Sequence, residues 1–386
     1  MKSNKIRLGE QCVVTSSKRF HLSERITQGV PFYCSKEIIK KFNGEDVTEC
    51  DYISEDLYKK VSNEFGVPKE NDLLITTRGT IGIPYLYKRT DRFYFADGNL
   101  TWIKDFDSNL YSKFLYYWFQ SYEGRKKFEA LAKGTAQKAV PISRIKTLEI
   151  ELPSLKSQKR IADILSAYDD LIENNQKQIK LLEEAAQRLY KEWFVDLRFP
   201  GHENTEIVDG VPEGWIKEEI GKIIKKVHRT KQIVASEYKD EGSIPIVDQS
   251  RAFVAGYTND LEARVDFGIP IIVFGDHTRI VKLIQFPFAK GADGTQLIIS
   301  DCLEMPQRLL YCSIMNVDLS NYHYARHFKY LKEEKIMIPT VKVANEFENN
   351  VTGIFSKIQN CRDEIIRCQK TRDLLLPKLM SGEVEV

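Results

Sequence analysis

One long segment without glycine or proline decides how this chain is organised: QKRIADILSAYDDLIENNQKQIKLLEEAAQRLYKEWF (158–194). Its apolar side chains recur at alternating spacings of four and three residues, which is typical of a helix that packs along another helix. At 1.5 Å per residue the helix would be roughly 55 Å long. Because one small domain cannot bury such a helix, it needs a partner helix. The predicted seam consists of Ile161, Leu165, Tyr168, Ile172, Ile179, Leu182, Ala186, Leu189 and Trp193, with a polar interruption at Asn175.

A second copy of this segment lies near the carboxyl end. A shift of 186 positions, which carries Ile161 onto Phe347, gives another mostly apolar series. Two runs that end in proline, IELPS (150–154) and IMIPT (336–340), precede the segments at the same spacing. We expect two duplicate helices that pair; unrelated helices on separate domains are the alternative. Asn175 would either fix the register or face solvent. The second seam consists of Phe347, Val351, Ile354, Ile358, Ile365, Leu375 and Leu379, interrupted by Cys361, Cys368 and Arg372.

A module with mixed α and β patterns precedes each helix. The first module covers residues 1–150 and the second module about 207–338. Gly9 and Gly221 are matching landmarks 212 positions apart, whereas the prolines before the helices are 186 apart, so the second module is 26 residues shorter. We expect this difference to lie in loops. Strands are predicted at 73–79, 82–88, 92–98, 100–103, 269–276, 279–286 and 295–300, and helices at 111–131 (one or two) and 307–315.

The composition describes a chain long enough for two or three domains, with 386 residues of which 42% are hydrophobic. No apolar run approaches the length of a membrane span and the polar start lacks the apolar core of a signal peptide, so we expect a cytoplasmic location. The seven cysteines form no CxxC pair, which indicates buried or free thiols. The net charge of +2 hides a basic run, KIIKKVHRTK (222–231), which could contact phosphates or form a solvated surface.

Motifs of the common catalytic sites are absent from the sequence. It contains no GxGxxG or GxxxxGK[ST] for nucleotides, no Pro-Pro dipeptide for an amino-methyltransferase loop and no Pro-Asp for a PD…ExK nuclease. His323 and His327 would share one face of a helix, but no second set of metal ligands accompanies them. Their aromatic and basic neighbours suit a contact with DNA better. We therefore predict no catalytic and no metal-binding residues.

Several polar loops have the composition of loops that read DNA, because arginine and lysine donate to guanine or phosphate and glutamine can pair with adenine. Single loops of this kind are common, but their recurrence in two duplicated modules strengthens the interpretation. The candidate contacts of the first module are Lys18, Arg19, Arg78, Thr80, Lys133, Thr135, Gln137 and Lys138. Those of the second module are Arg229, Lys231, His277, Arg279, Lys290, Thr295, Gln296, Tyr324, Arg326 and His327.

Over essentially its whole length, the chain resembles the specificity (S) subunits of Type I restriction-modification enzymes. The repeat regions of that family are similar to LPSLKSQKRIADILSAYDDLIENNQKQIKLLEEAAQRLYKEWF (152–194) and the terminal RDLLLPKLMSGEVEV (372–386). Cys361, Cys368 and Arg372 depart from an apolar seam, so helix pairing is least firmly predicted near the carboxyl end. Landmarks of the two target-recognition domains are similar to NDLLITTRGTIG (71–82), KGTAQKAVPIS (133–143), VPEGW (211–215), VFGDHTR (273–279), KGADGTQ (290–296) and YARHFK (324–329).

The resemblance implies an α+β fold. Two mixed α/β target-recognition domains would be separated by two long conserved helices that pair as an antiparallel coiled coil. The expected divisions are residues 1–153 for recognition domain 1, 154–198 for conserved helix 1, 199–339 for a linker and recognition domain 2, and 340–386 for conserved helix 2.

The resemblance also implies a non-catalytic, sequence-specific DNA-binding subunit. Each recognition domain would read one half of a bipartite site in double-stranded DNA. The helices would set the spacing and dock two methyltransferase (M) subunits, which restriction/translocase (R) subunits join. S-adenosylmethionine, ATP and Mg²⁺ would bind to those partners and no cofactor to this chain, in the cytoplasm of a bacterium or archaeon. Two alternatives stay open: a stand-alone methyltransferase or nuclease with a divergent site, and a coiled-coil adaptor that does not bind DNA.

Overall fold

The computed structural model describes residues 4–133, 138–227, 230–291, 293–322 and 326–386. The chain divides into two compact units, one formed by Met1–Asn174 with Glu364–Val386 and the other by Asn175–Asp363. Each unit contains one module and a part of both long helices. Within the described ranges, no helix is long and apolar enough to cross a membrane.

The first module alternates short strands with short helices. In chain order these are β1 (Asn4–Arg7), β2 (Val13–Thr15), β3 (Val30–Tyr33), α1 (Ser35–Phe42), β4 (Asp51–Ile53), α2 (Glu55–Glu64), β5 (Leu73–Thr76), β6 (Pro84–Leu86), β7 (Tyr94–Phe95), β8 (Leu100–Lys104), α3 (Ser112–Gln120), α4 (Tyr122–Glu129), α5 (Ile142–Lys146) and β9 (Glu149–Leu152). One sheet has the order β2-β8-β5-β6 and is antiparallel, and another has the order β4-β3-β7 with β3 and β7 parallel. β1 and β9 pair antiparallel and join the two ends of the module.

The first long helix and the second module follow. Their elements are α6 (Leu155–Tyr190), β10 (Ile207–Val208), β11 (Val211–Pro212), β12 (Ile216–Glu219), β13 (Ile244–Val247), β14 (Gly256–Thr258), β15 (Arg264–Val265), β16 (Ile271–Gly275), β17 (Val281–Ile284), β18 (Phe288–Lys290), β19 (Thr295–Ile298), α7 (Gln307–Met315), α8 (His327–Glu333), β20 (Lys335–Ile338) and α9 (Val341–Ser381). The sheets have the orders β17-β16-β19 and β14-β13-β18-β15, with β13 and β18 parallel. β12 and β20 pair antiparallel, as β1 and β9 do.

The second module repeats the strand pairing of the first, as the sequence predicted. β16, β17 and β19 take the places of β5, β6 and β8, while β13 and β18 take those of β3 and β7. The expectation that loops alone make the second module shorter is wrong in part. The helices α1 and α2 have no α-helical counterpart between β13 and β16, a stretch that is described without gaps. A loop of residues 248–255 joins β13 directly to β14 instead.

The two long helices pair antiparallel, and contacts inside each unit establish this. In the first unit, Ile161 and Leu165 near the start of α6 share an apolar core with Leu379 near the end of α9. In the second unit, the ring centre of Trp193, just after α6, lies 5.7 Å from that of Phe347 near the start of α9. The prediction of paired duplicates is therefore confirmed, and the alternative of unrelated helices is wrong.

The seam positions face the interior along both helices. Asn175 is only 3% exposed, so it does not face solvent, which was one of its two predicted roles. α6 ends in a π-helical turn, Lys191–Val195, which buries Trp193 and Phe194 on the same side. The seam positions that remain partly exposed are Tyr168, Ile179, Leu182, Leu189, Ile354, Ile365 and Leu375.

The polar and sulfur-containing positions of the second seam also fit the helix pair. Cys361 and Cys368 are buried and act as small apolar side chains. A guanidinium nitrogen of Arg372 lies 2.6 Å from a carboxylate oxygen of Asp169 on α6, and the second oxygen accepts a 2.6 Å hydrogen bond from Tyr117. Burial opposes the charge on Arg372, but its hydrogen bond and attraction to Asp169 outweigh burial, so its pKa is raised. Helix pairing thus continues toward the carboxyl end.

Replacing Arg372 by alanine should destabilise the chain, because Asp169 would keep its charge in a partly buried position without its cationic partner. We expect the free energy of unfolding, measured by urea denaturation of the full chain, to fall by roughly 1–3 kcal/mol. Arg367→Ala, at an exposed position of the same helix, is the matched control and should change it by less than about 0.5 kcal/mol. Equal effects of the two substitutions would contradict a stabilising role of the Arg372–Asp169 pair.

Candidate nucleic-acid interface

In the first module, three loop segments meet beyond the end of β5. The amide of Thr77 donates to the carbonyl of Asn99 at 2.9 Å, and the amide of Val140 donates to the carbonyl of Thr77 at 2.9 Å. The amide of Gly79 donates to the carbonyl of Lys138 at 3.3 Å. We call residues 77–82, 97–99 and 138–140 the first loop cluster. Hydrogen bonds of the main chain hold it, so its side chains are free to vary.

The second module has a corresponding arrangement beyond the end of β16. The amide of Asp276 donates to the carbonyl of Gly294 at 2.7 Å, and the amide of His327 donates to the carbonyl of Asp276 at 3.0 Å. A carboxylate oxygen of Asp276 also accepts a 2.8 Å hydrogen bond from the amide of Phe328. We call residues 276–280, 293–294 and 326–328 the second loop cluster. Asp276 occupies the place that Thr77 has in the first.

The clusters bring together several of the predicted DNA contacts from distant parts of the sequence. On the first loop cluster the exposed side chains are Arg78, Thr80 and Lys138, and Lys133 borders it through a 2.8 Å hydrogen bond from its amide to Ala139. On the second loop cluster the predicted contacts with exposed side chains are His277, Arg279 and Arg326, and Thr278 and Asp293 are exposed beside them. The guanidinium of Arg279 also donates to the carbonyl of Leu319 at 3.0 Å. Thr135, Gln137, Arg229 and Tyr324 lie outside the described residues.

Two of the predicted contacts are buried, and these predictions are corrected. The side chain of Thr295 is inaccessible to solvent. His327 is 5% exposed, and its two ring nitrogens lie 2.9 and 3.0 Å from the carbonyl oxygens of Asp276 and Tyr322. His323, the other member of the His-x-x-x-His pair, lies outside the described residues, and α8 begins only at His327, after Arg326 in extended backbone. His327 therefore supports the second loop cluster from inside.

Lys231, another predicted contact, is paired with two carboxylates of its own module. Its ammonium lies 2.7 Å from a carboxylate oxygen of Asp260 and 2.9 Å from one of Glu262. The hydrogen bonds to these two groups raise the pKa of Lys231. Its positive charge is therefore already compensated within the module, which makes it a poor candidate for binding a phosphate.

A cleft adjoins each loop cluster. The cleft of the second module, of about 830 Å³, is lined by Lys290 and Gln296, which the sequence had singled out, and by Phe328 of the cluster. Partial burial lowers the pKa of Lys290. Three further lysines line this cleft: Lys225, Lys226 and Lys332.

The cleft of the first module, of about 430 Å³, combines cations with aromatic rings. Lys18 and Arg19, two predicted contacts, line it. The ammonium of Lys18 lies 4.7 Å from the ring centre of Phe65, and that of Lys104 lies 4.3 Å from the ring centre of Trp102. These distances suit cation–π interactions. Arg19 is linked to the first loop cluster by Asp97, whose carboxylate is 3.8 Å from its guanidinium.

Sequence reasoning missed four lysines of these clefts. Lys225 and Lys226 belong to the basic run 222–231, which was a visible signal although the two residues were not named as contacts. Lys104 and Lys332 are single cations at the end of a strand and within a helix, and nothing in the local sequence distinguishes them from other surface lysines.

Comparisons with known proteins agree with this architecture. Residues 3–184 match the family model described as Type I restriction modification DNA specificity domain. The Type I restriction enzyme MjaIX specificity subunit of Methanocaldococcus jannaschii is 30% identical over 303 residues, which cover 71% of this chain and 69% of that protein. A relative from Haemophilus influenzae that is also named as a type I specificity subunit is 28% identical over 187 residues, 48% of this chain and 45% of that protein. The crystal structure of the S subunit from M. genitalium covers 98% of this chain and 96% of its own, with a TM-score of 0.62 at 17% identity.

The similarity to the archaeal protein extends over two thirds of both chains, and the likeness to the M. genitalium structure extends over the whole fold. Specificity subunits recognise DNA, need no cofactor of their own and leave catalysis to partner subunits. The sequence contains none of the nucleotide-binding, amino-methyltransferase or PD…ExK motifs described above. The chain belongs to the family of type I restriction-modification specificity subunits.

Proposed function

We propose that this chain is the sequence-specific DNA-binding subunit of a type I restriction-modification complex, and that each module reads one half of a bipartite site in double-stranded DNA. The observation that carries the proposal is the recurrence of one hydrogen-bonded loop cluster, with exposed cations, at the same place in both modules. Two similar frames with different exposed side chains suit a target made of two different short sequences. The proposed recognition domains are residues 1–153 and 199–339, the latter including a linker.

We assign base reading to the loop clusters and phosphate binding to the clefts. The exposed guanidinium of Arg78 can donate two hydrogen bonds to the major-groove edge of guanine, and His277 and Arg279 can contact base edges from the second module. The ammonium groups of the cleft lysines are point charges without a fixed hydrogen-bonding plane, which suits the phosphate backbone better. Two of them also have a carboxylate nearby, since Lys104 lies 3.7 Å from Asp105 and Lys225 lies 3.6 Å from Asp301. Thr80, Lys133, Lys138 and Arg326 lie exposed beside the base-reading side chains and can take either role.

We assign two roles to the long helices, residues 154–198 and 340–386: they set the gap between the half-sites and dock two methyltransferase subunits, which restriction subunits join. In support, α6 keeps Leu171 and Leu181 exposed by 43% and 65%, and α9 keeps Ile366 and Leu374 exposed by 42% and 58%, all of them off the seam. S-adenosylmethionine, ATP and Mg²⁺ would then act on the partner chains. The complex would work in the cytoplasm of a bacterial or archaeal cell, where it meets DNA.

Arg78→Ala should relax recognition at one base pair of a single half-site, because a guanine-reading side chain contributes about 1–3 kcal/mol of discrimination. The measurement is a genome-wide map of N6-methyladenine in cells that express the chain with its methyltransferase. Arg89→Ala is the matched control, because Arg89 is also exposed but follows β6 at the other end of the sheet. The half-site read by the second module should be unchanged in both variants.

The same map, together with an activity assay of the purified chain, distinguishes the alternatives. A split motif that appears only with this chain is the expected result for the unaltered protein. An active methyltransferase with no motif added by the chain would favour the adaptor that does not bind DNA. Methylation or cleavage by the purified chain alone would favour a stand-alone enzyme. An unchanged motif with Arg78→Ala would overturn the assignment of this residue but not the function.

Insertion of one heptad into both long helices should lengthen the gap between the half-sites without changing the bases recognised in either. The reason is that seven residues add about 10 Å to a helix and preserve the apolar seam. The methylation map reports both quantities directly. Insertion of seven residues into the linker 199–215 is the control and should leave the gap as it was. A constant gap in the helix variant would exclude the long helices from setting the spacing.

A further inference from the structure

The side chain of Gln249, which lies outside both loop clusters, joins two segments of the second loop cluster. Gln249 lies in the loop of residues 248–255 between β13 and β14. Its amide oxygen accepts a 3.1 Å hydrogen bond from the main-chain amide of His277, and its amide nitrogen donates to the carbonyl of Asp293 at 2.8 Å. Its main-chain carbonyl accepts a 2.7 Å hydrogen bond from the hydroxyl of Thr278. Gln249 thereby ties the turn that carries His277 to the turn that precedes β19.

Two glycines make room for Gln249. A β-carbon on Gly275 would lie 2.9 Å from the β-carbon of Gln249 and would also clash with the hydroxyl of Thr278. A β-carbon on Gly294, whose φ is +83°, would lie 2.7 Å from the amide nitrogen of Gln249. Neither distance is possible between real side chains, so both glycines are required for this close approach. Each of the two segments that Gln249 joins therefore contributes one glycine to the space around its side chain.

The loop that carries Gln249 is itself held by hydrogen bonds, including those from a lysine of β17. Lys282 on β17 is 5% exposed, and its ammonium donates to the carbonyls of Asp248 at 2.8 Å and Ala252 at 2.5 Å. Burial lowers the pKa of Lys282 to about 8. The amide and hydroxyl of Ser250 donate to a carboxylate oxygen of Asp248 at 2.9 and 2.6 Å. The main chain on both sides of Gln249 is thus held before its side chain reaches the cluster.

The first module holds its loop cluster in another way. Thr76 occupies the place of Gly275, since Thr76 pairs with Leu100 as Gly275 pairs with Thr295. Thr76 is fully buried, and its hydroxyl accepts a 2.9 Å hydrogen bond from the amide of Ile83. In the first module, the side chain of Thr76 therefore fills the space that Gly275 leaves open for Gln249 in the second module. The arrangement around Gln249 belongs to the second module.

We propose that Gln249 is a positioning residue that determines specificity: by tying the His277 turn to the Asp293 turn, it sets how the second module presents His277 and Arg279 to DNA. The inference rests on the proposed function of this module. Gln249 is half-buried, and its amide oxygen and one N–H are already bonded within the chain. It acts through its neighbours and does not read a base itself. Loss of these bonds lets the two turns move independently. His277 and Arg279 can then form hydrogen bonds with more than one kind of base pair at the same position of the half-site.

The test maps N6-methyladenine in cells that express the full chain with its methyltransferase, and the half-site read by the first module serves as an internal standard. Gln249→Ala should lower discrimination at one or more positions of the second half-site by roughly five- to tenfold. The first half-site and the gap should stay the same. Asn259→Ala is the matched control, because it also removes a side-chain amide that holds a neighbouring segment, through a 2.9 Å hydrogen bond from the amide of Ser243, but at the opposite end of β13 and β14.

Two further variants separate positioning from direct reading and from loss of folding. Gly275→Ala adds a methyl group at a buried position that cannot touch DNA and displaces both Gln249 and the Thr278 hydroxyl that donates to it, so it should relax the same positions as Gln249→Ala. Gln249→Glu keeps the size and the acceptor for His277 but loses the donor to Asp293, and should relax them even if the alanine variant fails to fold. An unchanged second half-site in folded Gln249→Ala or Gln249→Glu would overturn the proposal. Relaxation by the Gln249 variants with no effect of Gly275→Ala would overturn positioning in favour of direct base contact.

If the unaltered chain yields no split motif, the proposed function fails, and this outcome is visible before any variant is compared. If the unaltered chain yields a split motif that none of the three variants alters, the proposed function stands and only the role of Gln249 is lost. The thermal midpoint of each purified variant, compared with that of the unaltered chain, identifies a chain that does not fold.

Discussion

The apolar contact between α6 and α9 is the constraint on which both units depend. In the first unit one continuous core runs from Ile103 on β8 through Phe114 on α3 to Leu165 and Leu379 on the long helices. In the second unit another runs from Leu309 on α7 to α6 and the early part of α9. Each module therefore completes its core with surface from both helices. Burial of apolar surface is the main driving force of folding. The long helices therefore form part of the hydrophobic core of each module and do not merely connect the modules.

Duplication has preserved the main-chain frame of the modules while the side chains that support it have changed. Tyr85 and Lys282 occupy matching places, opposite Leu74 and Val273 in the register of the central strands. The hydroxyl of Tyr85 donates to Asp91 at 2.7 Å, whereas Lys282 holds the carbonyls of the 248–255 loop. The same hydrogen-bonded frame can thus present differently shaped loops. This combination of a fixed frame and variable supports suits the proposed bipartite target with unlike halves.

The sequence predicted the elements whose buried faces repeat with a fixed period. The seams of α6 and α9 have that property, and the predicted helix at 307–315 agrees with α7 (Gln307–Met315). The short helices α1 and α2 escaped detection because each offers few buried apolar positions, Ile38 and Val61 among them. The spacing of the apolar residues also did not predict the π-helical turn that follows α6.

The interactions of the candidate site could not be predicted in the same way, because they join residues far apart in the sequence. Gln249 contacts residues 28 and 44 positions away, and Asp169 balances Arg372 from 203 positions away. No local spacing encodes such contacts. Composition found the loops that carry Arg78, His277 and Arg279, but it also selected Thr295 and His327, since a polar residue that supports a loop and one that faces DNA have the same chemistry.

Burial and pairing distinguish structural cations from cations available to DNA. Arg308, 2.8 Å from Glu348, and Arg362, 2.8 Å from Glu183, are largely buried and already compensated. Moving such a charge onto a phosphate would break one ion pair to form another and would leave a carboxylate unpaired in the protein. Arg78 and Arg326 are exposed and have no carboxylate partner among the described residues, so contact with DNA would cost them water and counterions alone. The net charge of +2 averages these two populations. In the proposed function, the local separation of paired from unpaired cations, and not the charge of the whole chain, would direct DNA to the loop clusters.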